Sequence, residues 1–297
     1  MRPARPLTGL LAGLMISGLA SAAMAQAPAP FATEGSGRWT FEDPVWQAIE
    51  VQTYTPAACG AKACPLVMVI HGNGRNAASS RNYWIDAAER YRVLVAAPRF
   101  DRQRFSSRVF QQGNVGGDAD KRKWTFGIVE RLFDAARATG RVEGAVYRIF
   151  GHSAGGQFVH RMALLMPEAR FSRAVAANSG FYTRPMGSEV ADSFAYPYSL
   201  GETPATDGTL KAALVRPVVV MLGERDNDPD HVDINKSPGA EAQGPTRLAR
   251  GQAFMADIAA VSSRLGIASA WREVTVPGVA HEQKRMAQAA APVLLGP

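Results

Sequence analysis

The sequence predicts an α/β fold in which a mostly parallel central sheet is covered by helices on both faces. Two observations carry this prediction: short apolar, β-rich segments alternate with helical patterns along the chain, and no internal repeat interrupts the alternation. A chain of 297 residues has the length of two domains, but α/β folds of about 250 residues commonly form one unit. We therefore expect one large domain over residues 37–297.

The first 25 residues have the pattern of a secretory signal peptide. Arg2 and Arg5 precede an uncharged apolar core at residues 7–19, and residues 23–25 form a small-x-small cleavage pattern. A membrane anchor is the alternative, but the apolar core is shorter than the ~20 residues that a span needs. We expect cleavage of residues 1–25, a flexible Ala/Pro-rich spacer at residues 26–36, no membrane span, and a secreted or periplasmic protein.

The chain contains two cysteines, Cys59 and Cys64. Export to an oxidising compartment favours a disulfide between them. The alternative is half of a metal site, but the sequence has no further cysteine to complete a tetrahedral set. We expect a disulfide that closes a short loop, and neither a metal nor a cofactor.

The charge balance is mildly basic. The net charge is +7, and removal of residues 1–25 leaves about +5, because two arginines and no acidic residues are lost. The sequence has no Lys/Arg-rich run with interleaved aromatic residues, which argues against nucleic-acid binding. The basic balance instead indicates attraction to anionic surfaces or substrates.

The predicted elements follow the α/β alternation. Apolar strands are expected at residues 51–54, 66–72, 93–100, 146–150, 174–178, 218–222 and 270–276. Helical patterns cover residues 76–91, 123–140 and 156–166, and the last two end at Gly140 and Pro167. Residues 181–217 contain four prolines and no strong period, so they are a candidate lid or substrate-shaping insertion.

Residues 151–155 match the pattern G-x-S-x-G between an apolar strand and a helix. This pattern places a nucleophile, here Ser153, on a strained strand-to-helix turn whose neighbouring residues must be small. A tight turn with an incidental serine is the alternative. The interpretation as a nucleophile therefore depends on a base, an acid and oxyanion donors elsewhere in the chain.

His281 is the only one of the five histidines that follows the last predicted strand. In a catalytic triad built on the G-x-S-x-G motif, the nucleophile comes first in the chain, the acid second and the histidine base last, after the final strand. His152 is expected to point away from Ser153 as a packing residue. His160 and His231 are expected to make local contacts.

Asp226 and Asp228 are the candidate acids, in the loop after the strand at 218–222. We favour Asp226, because it stands at the first turn position from which a carboxylate can reach back toward an imidazole. Asp228 is the alternative acid. A solvated loop or a calcium site would also explain the acidic segment, but the spacing of a calcium loop is absent.

The segment HGNG at residues 71–74 comes at the end of the strand predicted at 66–72. In a serine hydrolase a loop at this place donates one N–H to the oxyanion, and the residue after the nucleophile donates the other. We expect the backbone amides of Asn73 and Ala154 in these two roles.

These motifs resemble those of the α/β-hydrolase superfamily and, more narrowly, of the secreted polyhydroxybutyrate-depolymerase and feruloyl-esterase-like group. The resemblance covers most of the chain after residue 25 and rests on CPLVMVIHGNGRNA, GHSAGGQFVHR, NSGFYTRP, GERDND and PGVAH. It implies a cofactor-free esterase that works through an acyl-enzyme. The sequence after His281 is too short for a separate polymer-binding domain, which argues against efficient attack on crystalline polymer.

The loop after the strand at 93–100 is rich in arginine. Open α/β sheets bind ligands at the carboxyl ends of their strands, so this loop is expected to face the site. Arg99 and Arg102 are candidate contacts to a carboxylate-bearing substrate, and an ordinary solvated surface is the alternative. Tyr182 and Trp124 are candidates to line an acyl pocket, with a place in the core as the alternative.

Three functions remain open. The first is a secreted serine hydrolase that cleaves carboxylic esters, such as a polyester oligomer or an aryl ester. The second is an amidase or peptidase that acts on an anionic poly(amino acid) such as polyaspartate, because the same triad also cleaves amides. The third is a catalytically silent binding protein on the same fold. The complete set of serine, histidine and aspartate favours an enzyme.

Overall fold

The computed structural model describes residue 1 and residues 29–117, 120–186 and 194–296. These residues form a mixed, mostly parallel sheet of eight strands in the order β1-β2-β4-β3-β5-β6-β7-β8. The strands are β1 (Gly35–Asp43), β2 (Gln47–Thr55), β3 (Leu66–Ile70), β4 (Leu94–Pro98), β5 (Tyr147–His152), β6 (Phe171–Ala177), β7 (Val218–Gly223) and β8 (Trp271–Val276). β2 pairs antiparallel with β1 and β4, and the other neighbours pair parallel. The predicted fold class is confirmed.

Helices connect the strands and cover both faces of the sheet. Those in the described residues are α1 (Ala77–Asn82), α2 (Ile85–Tyr91), α3 (Phe126–Ala138), α4 (Ala154–Leu165), α5 (Asp207–Leu214), α6 (Pro238–Glu241), α7 (Arg247–Leu265) and α8 (Gln283–Leu295). None of the helices in these ranges is long and apolar enough to cross a membrane.

The core has two layers because successive side chains of a strand point to opposite faces. In β3, Leu66, Met68 and Ile70 pack into the layer beneath α3, α4, α5 and α7. Val67 and Val69 pack into the opposite layer, beneath α1, α2 and α8. Burial on both faces explains why β3 is apolar throughout rather than alternating with polar residues.

Several predicted element boundaries differ from the structure. The helical segment expected at 76–91 is two helices, because the chain breaks at Tyr83 and Trp84 and the Trp84 side chain enters the core. The helix expected from residue 123 begins at Phe126. Trp124, just before it, has an extended backbone.

The start of the domain also differs from the expectation. The predicted signal peptide at residues 1–25 lies, apart from Met1, outside the described residues. Phe31 is buried in the core and β1 begins at Gly35, so part of the predicted spacer at 26–36 belongs to the folded domain. In the predicted insertion at 181–217, α5 forms the later part, and residues 187–193 lie outside the described residues.

Cys59 and Cys64 form the expected disulfide. Both cysteines are buried, and the Cys64 amide donates to the carbonyl of Arg141. The loop that they close therefore lies against the segment that leads into β5.

Candidate active site

Ser153 lies on the turn between β5 and α4, with φ 58° and ψ −116°. A positive φ is uncommon for a residue with a side chain, and it marks strain that the surrounding structure must hold in place. The turn is tight: a Cβ atom added to Gly151 would come within 2.1 Å of the Gly155 carbonyl oxygen, and one added to Gly155 within 2.2 Å of the Ile70 oxygen. The glycines of the motif are therefore required for β3, β5 and α4 to approach each other.

His281 connects Ser153 to Asp226. Its Nε2 lies 3.0 Å from the Ser153 hydroxyl oxygen, and its Nδ1 lies 2.7 Å from Asp226 Oδ2. An ionised carboxylate can only accept, so Nδ1 carries the proton that is donated to Asp226. Nε2, the second ring nitrogen, then faces the Ser153 hydroxyl as the acceptor. The structure brings together the three residues that the sequence analysis selected from three separate loops.

The two candidate acids occupy different environments. Asp226 is 4% exposed and contacts His281, whereas Asp228 is exposed and accepts the backbone amide of Asp230 at 2.9 Å. The geometry therefore supports Asp226 and not the alternative Asp228.

Arg247 is a residue of the site that the sequence analysis missed. Its side chain is 3% exposed, and its Nη1 donates to Asp226 Oδ1 at 3.0 Å, leaving Oδ2 to His281. Its Nη2 lies 3.1 Å from Nδ1 of His231. Arg247 begins α7, and no local pattern distinguishes it from the other arginines of the chain.

His152 lies on the same side as His281, and the expectation that it points away from the site was wrong. Its ring centroid is 4.7 Å from that of His281, and it lines the cleft beside Ser153. Burial, followed by the nearby His281 and Arg247, holds the pKa of His152 well below its ordinary value. His152 is therefore a neutral ring that packs against His281.

The remaining histidines hold loops together. His71 accepts the Phe100 amide on Nε2 at 3.0 Å and donates from Nδ1 to the Gly72 carbonyl. His160 accepts the Thr183 amide in the same way. His231 accepts the amide of Asp233, and its ring lies edge-on to His281.

The two expected oxyanion donors lie beside Ser153. Asn73 and Ala154 both line the cleft. Ala154 is the first residue of α4, so its amide has no acceptor within the helix. A Cβ atom added to Gly72 would lie 3.7 Å from Ser153 Cβ, so the loop of Asn73 lies close to Ser153. The donor roles of both amides remain predictions.

The cleft at Ser153 has a volume of about 570 Å³, and polar and apolar surfaces line it in nearly equal measure. Besides the residues already named, it is lined by Gly74, Arg102, Ser107, Gln111, Gln157, Gly180, Phe181, Asp233, Asn235 and Gln283. Phe181 supplies an apolar wall, and the Arg161 guanidinium lies 4.8 Å from the centre of its ring. The cleft thus presents both polar groups and an apolar surface beside Ser153.

The four candidate substrate contacts separate into two pairs. Arg102 lines the cleft, and Arg99 is exposed in the groove next to it. Tyr182 and Trp124 are fully buried in the core, so neither lines the cleft. The Tyr182 ring stacks on that of Phe254 within the core, whereas Phe181, the preceding residue, lines the cleft.

Comparison with known proteins gives the context of this site. Neither a protein-family model nor a curated protein sequence matches the chain. The solved structure of poly(aspartic acid) hydrolase-1 from Sphingomonas sp. KT-1 is similar, with 35% identity, a TM-score of 0.82, and coverage of 88% of this chain and 98% of that chain. Poly(3-hydroxybutyrate) depolymerase LpqC from Bordetella parapertussis has 29% identity, a TM-score of 0.81 and coverage of 88% and 90%.

A more distant structure shares the fold alone. An S-formylglutathione hydrolase from Agrobacterium tumefaciens has 14% identity, a TM-score of 0.56, and coverage of 89% of this chain and 97% of that chain.

The fold and the similar structures define the class of this chain, which is a hydrolase with the α/β-hydrolase fold. Within that superfamily the chain belongs to the polyhydroxybutyrate-depolymerase-like group.

Proposed function

We propose that the chain is a secreted serine hydrolase that cleaves carboxylic esters through Ser153, His281 and Asp226. The observation that carries the proposal is the pair of contacts of His281, at 3.0 Å to the Ser153 hydroxyl and 2.7 Å to the Asp226 carboxylate. A nucleophile within reach of a base that a third group orients is the arrangement that covalent hydrolysis needs. The disulfide supports secretion, because such bonds persist in oxidising compartments.

The reaction begins when His281 Nε2 takes the Ser153 proton as the hydroxyl oxygen attacks the acyl carbon. Negative charge then develops on the former carbonyl oxygen, where the amides of Asn73 and Ala154 donate hydrogen bonds. The imidazolium returns its proton to the leaving alkoxide, and the acyl group stays on Ser153. Water repeats the cycle: His281 takes its proton, the acid leaves, and the serine hydroxyl regains its proton.

The identity of the nucleophile is tested with a fluorophosphonate probe. We expect the probe to label the wild-type protein at Ser153 and to leave the Ser153→Ala variant unlabelled, because only an activated serine attacks the phosphorus. Matched panels of aryl esters and anilides then measure the preference between esters and amides. Labelling that persists in Ser153→Ala would contradict the assignment, and an unlabelled wild type would favour the binding-protein alternative.

The choice of acid is tested by a matched pair of variants. Asp226→Asn should lower kcat for an aryl ester by about 10⁴-fold, because an amide oriented as donor holds the His281 tautomer that cannot accept the serine proton. Asp228→Asn, in an exposed position of the same loop, should leave kcat within about twofold. Equal losses in the two variants would refute the choice of Asp226.

A second candidate function is hydrolysis of the amide bonds of an anionic poly(amino acid). Its support is the 35% identity to a protein named as a poly(aspartic acid) hydrolase, together with the Arg102 side chain at the cleft. Formation of new amino groups from poly(aspartate), measured against an aryl ester panel, separates the two functions. Faster turnover of the polymer amide would favour the second.

A further inference from the structure

A second groove, of about 770 Å³, adjoins the cleft at Ser153. Its walls come from β1 and β2 at one edge of the sheet and from the loops after β3 and β4. Gly74 and Arg102 line both cavities, so the two are neighbours along one surface. We call this second cavity the arginine groove.

Positive charge predominates in the arginine groove. Its lining contains two carboxylates, Glu50 and Asp101, against the five arginines Arg38, Arg75, Arg99, Arg102 and Arg104. Asp101 forms an ion pair with Arg104, with 3.0 Å between Asp101 Oδ2 and Arg104 Nε. Glu50 is shared by Arg38 and Arg99 at 3.8 and 3.9 Å, so within the described part of the chain each of these exposed guanidinium groups has a long contact to a shared anion as its one ion pair.

Arg75 is a buried cation on the wall of this groove. It is 7% exposed, and its Nη1 donates to the Phe100 carbonyl, but its buried Nε has no hydrogen-bond partner among the described residues. Burial, followed by the nearby Arg102 guanidinium, lowers the pKa of Arg75 to about 10. An anion bound in the groove would offset the cost of keeping this charge out of water.

Arg102 connects the groove to the reaction centre. Its Nη2 donates to the Asn73 carbonyl at 2.7 Å, and Asn73 belongs to the loop that carries one expected oxyanion donor. A ligand that contacts Arg102 from the groove therefore lies next to the loop at which the acyl oxygen of a substrate is expected.

We propose that the arginine groove is an extended subsite that binds the carboxylates of a polyacidic substrate chain whose scissile bond lies at Ser153. The inference rests on the proposed function, because it takes Ser153 as the point of cleavage. Arginine suits this role, since its planar guanidinium binds a carboxylate through two parallel hydrogen bonds. The substrate class is then a polymer with repeated carboxylates, either a polyester or a poly(amino acid).

The test measures polymer binding separately from turnover. Fluorescently labelled poly(aspartate) and poly(malate) are titrated into the Ser153→Ala variant at low and high ionic strength, with anisotropy as the readout. Arg38→Gln combined with Arg99→Gln should weaken both affinities about tenfold at low ionic strength. The difference should shrink as salt screens the exposed charges. Melting temperatures check that the variants are folded.

The control variant carries the same charge change at the opposite edge of the sheet. Arg264→Gln combined with Arg272→Gln alters α7 and β8, far from β1 in the strand order. Its polymer affinity should stay within about twofold of the parent. A neutral polymer, poly(hydroxyethyl-aspartamide), should bind at least tenfold more weakly than poly(aspartate).

Three results would overturn the proposal: equal affinity in the groove and control variants, equal binding of the neutral polymer, or tighter binding of a sulfated polysaccharide with the same dependence on the variants. Failure of the proposed function gives a different result. In that case the wild-type protein would not turn over esters or amides, while binding of the polymer to Ser153→Ala would be unaffected.

Discussion

Arg247 determines how the carboxylate of Asp226 is held. The two side chains are 3% exposed and their charged atoms are 3.0 Å apart, so the pair is buried and each charge depends on the other. Arg247 takes one carboxylate oxygen while His281 takes the other. We expect Arg247 to act as a positioning residue that keeps Oδ2 directed at the imidazole.

Arg247→Gln should lower kcat by up to about a hundredfold and leave KM nearly unchanged, because a misaligned base acts on the chemical step. Arg247→Lys, which keeps the charge, should recover part of the loss. Steady-state kinetics on an aryl ester give both constants.

The control for Arg247 is the pair of Arg131 with Asp43, whose charged atoms are 2.7 Å apart and whose carboxylate is fully buried. Arg131→Gln breaks a comparable pair away from the cleft, so it should reduce stability with kcat within about twofold. Similar losses of kcat in Arg131→Gln and Arg247→Gln would indicate a merely structural role for Arg247.

At the scale of elements, His71 joins the end of β3 to the end of β4. It accepts the amide of Phe100, donates to the carbonyl of Gly72, and packs against Phe110. Burial lowers its pKa from 6.5 to about 4, so the ring stays neutral at physiological pH. The connection between the loop of Asn73 and the arginine-rich loop therefore depends on an unprotonated histidine.

The lowered pKa of His71 predicts a loss of stability in acid. The unfolded chain binds the proton on His71 near pH 6.5, and the folded chain binds it only near pH 4. The contribution of His71 to the free energy of unfolding is therefore complete above pH 6.5 and is lost as the pH falls to 4. This group alone should account for about 3 kcal/mol of unfolding free energy. Urea unfolding from pH 7 to pH 4 measures it.

His71→Gln keeps a donor and an acceptor but cannot titrate. The decrease in unfolding free energy between pH 6.5 and pH 4 should be about 3 kcal/mol smaller in this variant than in the wild type. The same pH dependence in both proteins would contradict the assignment.

At the scale of the whole molecule, the sheet collects residues that are far apart in the sequence. The chain passes from β4 across β3 to β5, so the strand order reverses beside the turn that carries Ser153. Ligands of open α/β sheets bind at such a reversal, at the carboxyl ends of the strands. Ser153, Asp226 and His281 follow β5, β7 and β8, and parallel pairing brings these strand ends to one edge.

The parallel strands and the order of the site residues were predictable from sequence because each depends on a local pattern. Apolar runs such as 218–222 mark buried strands, and the small residues around Ser153 mark a tight turn. The boundaries were less predictable. β1 was not expected from the sequence. Its first six residues are half-buried or exposed in turn, so they need few apolar side chains and give no apolar run that would mark a strand.

The sequence by itself determined the α/β class, the G-x-S-x-G motif, one candidate base and two candidate acids, because chain order and residue type carry that information. Only the tertiary structure distinguished the contacts of Asp226 from those of Asp228, paired Arg247 with Asp226, buried Tyr182 and Trp124, and joined the arginine groove to the cleft. These outcomes depend on contacts between residues that are distant in the chain, and such contacts leave no local pattern in the sequence.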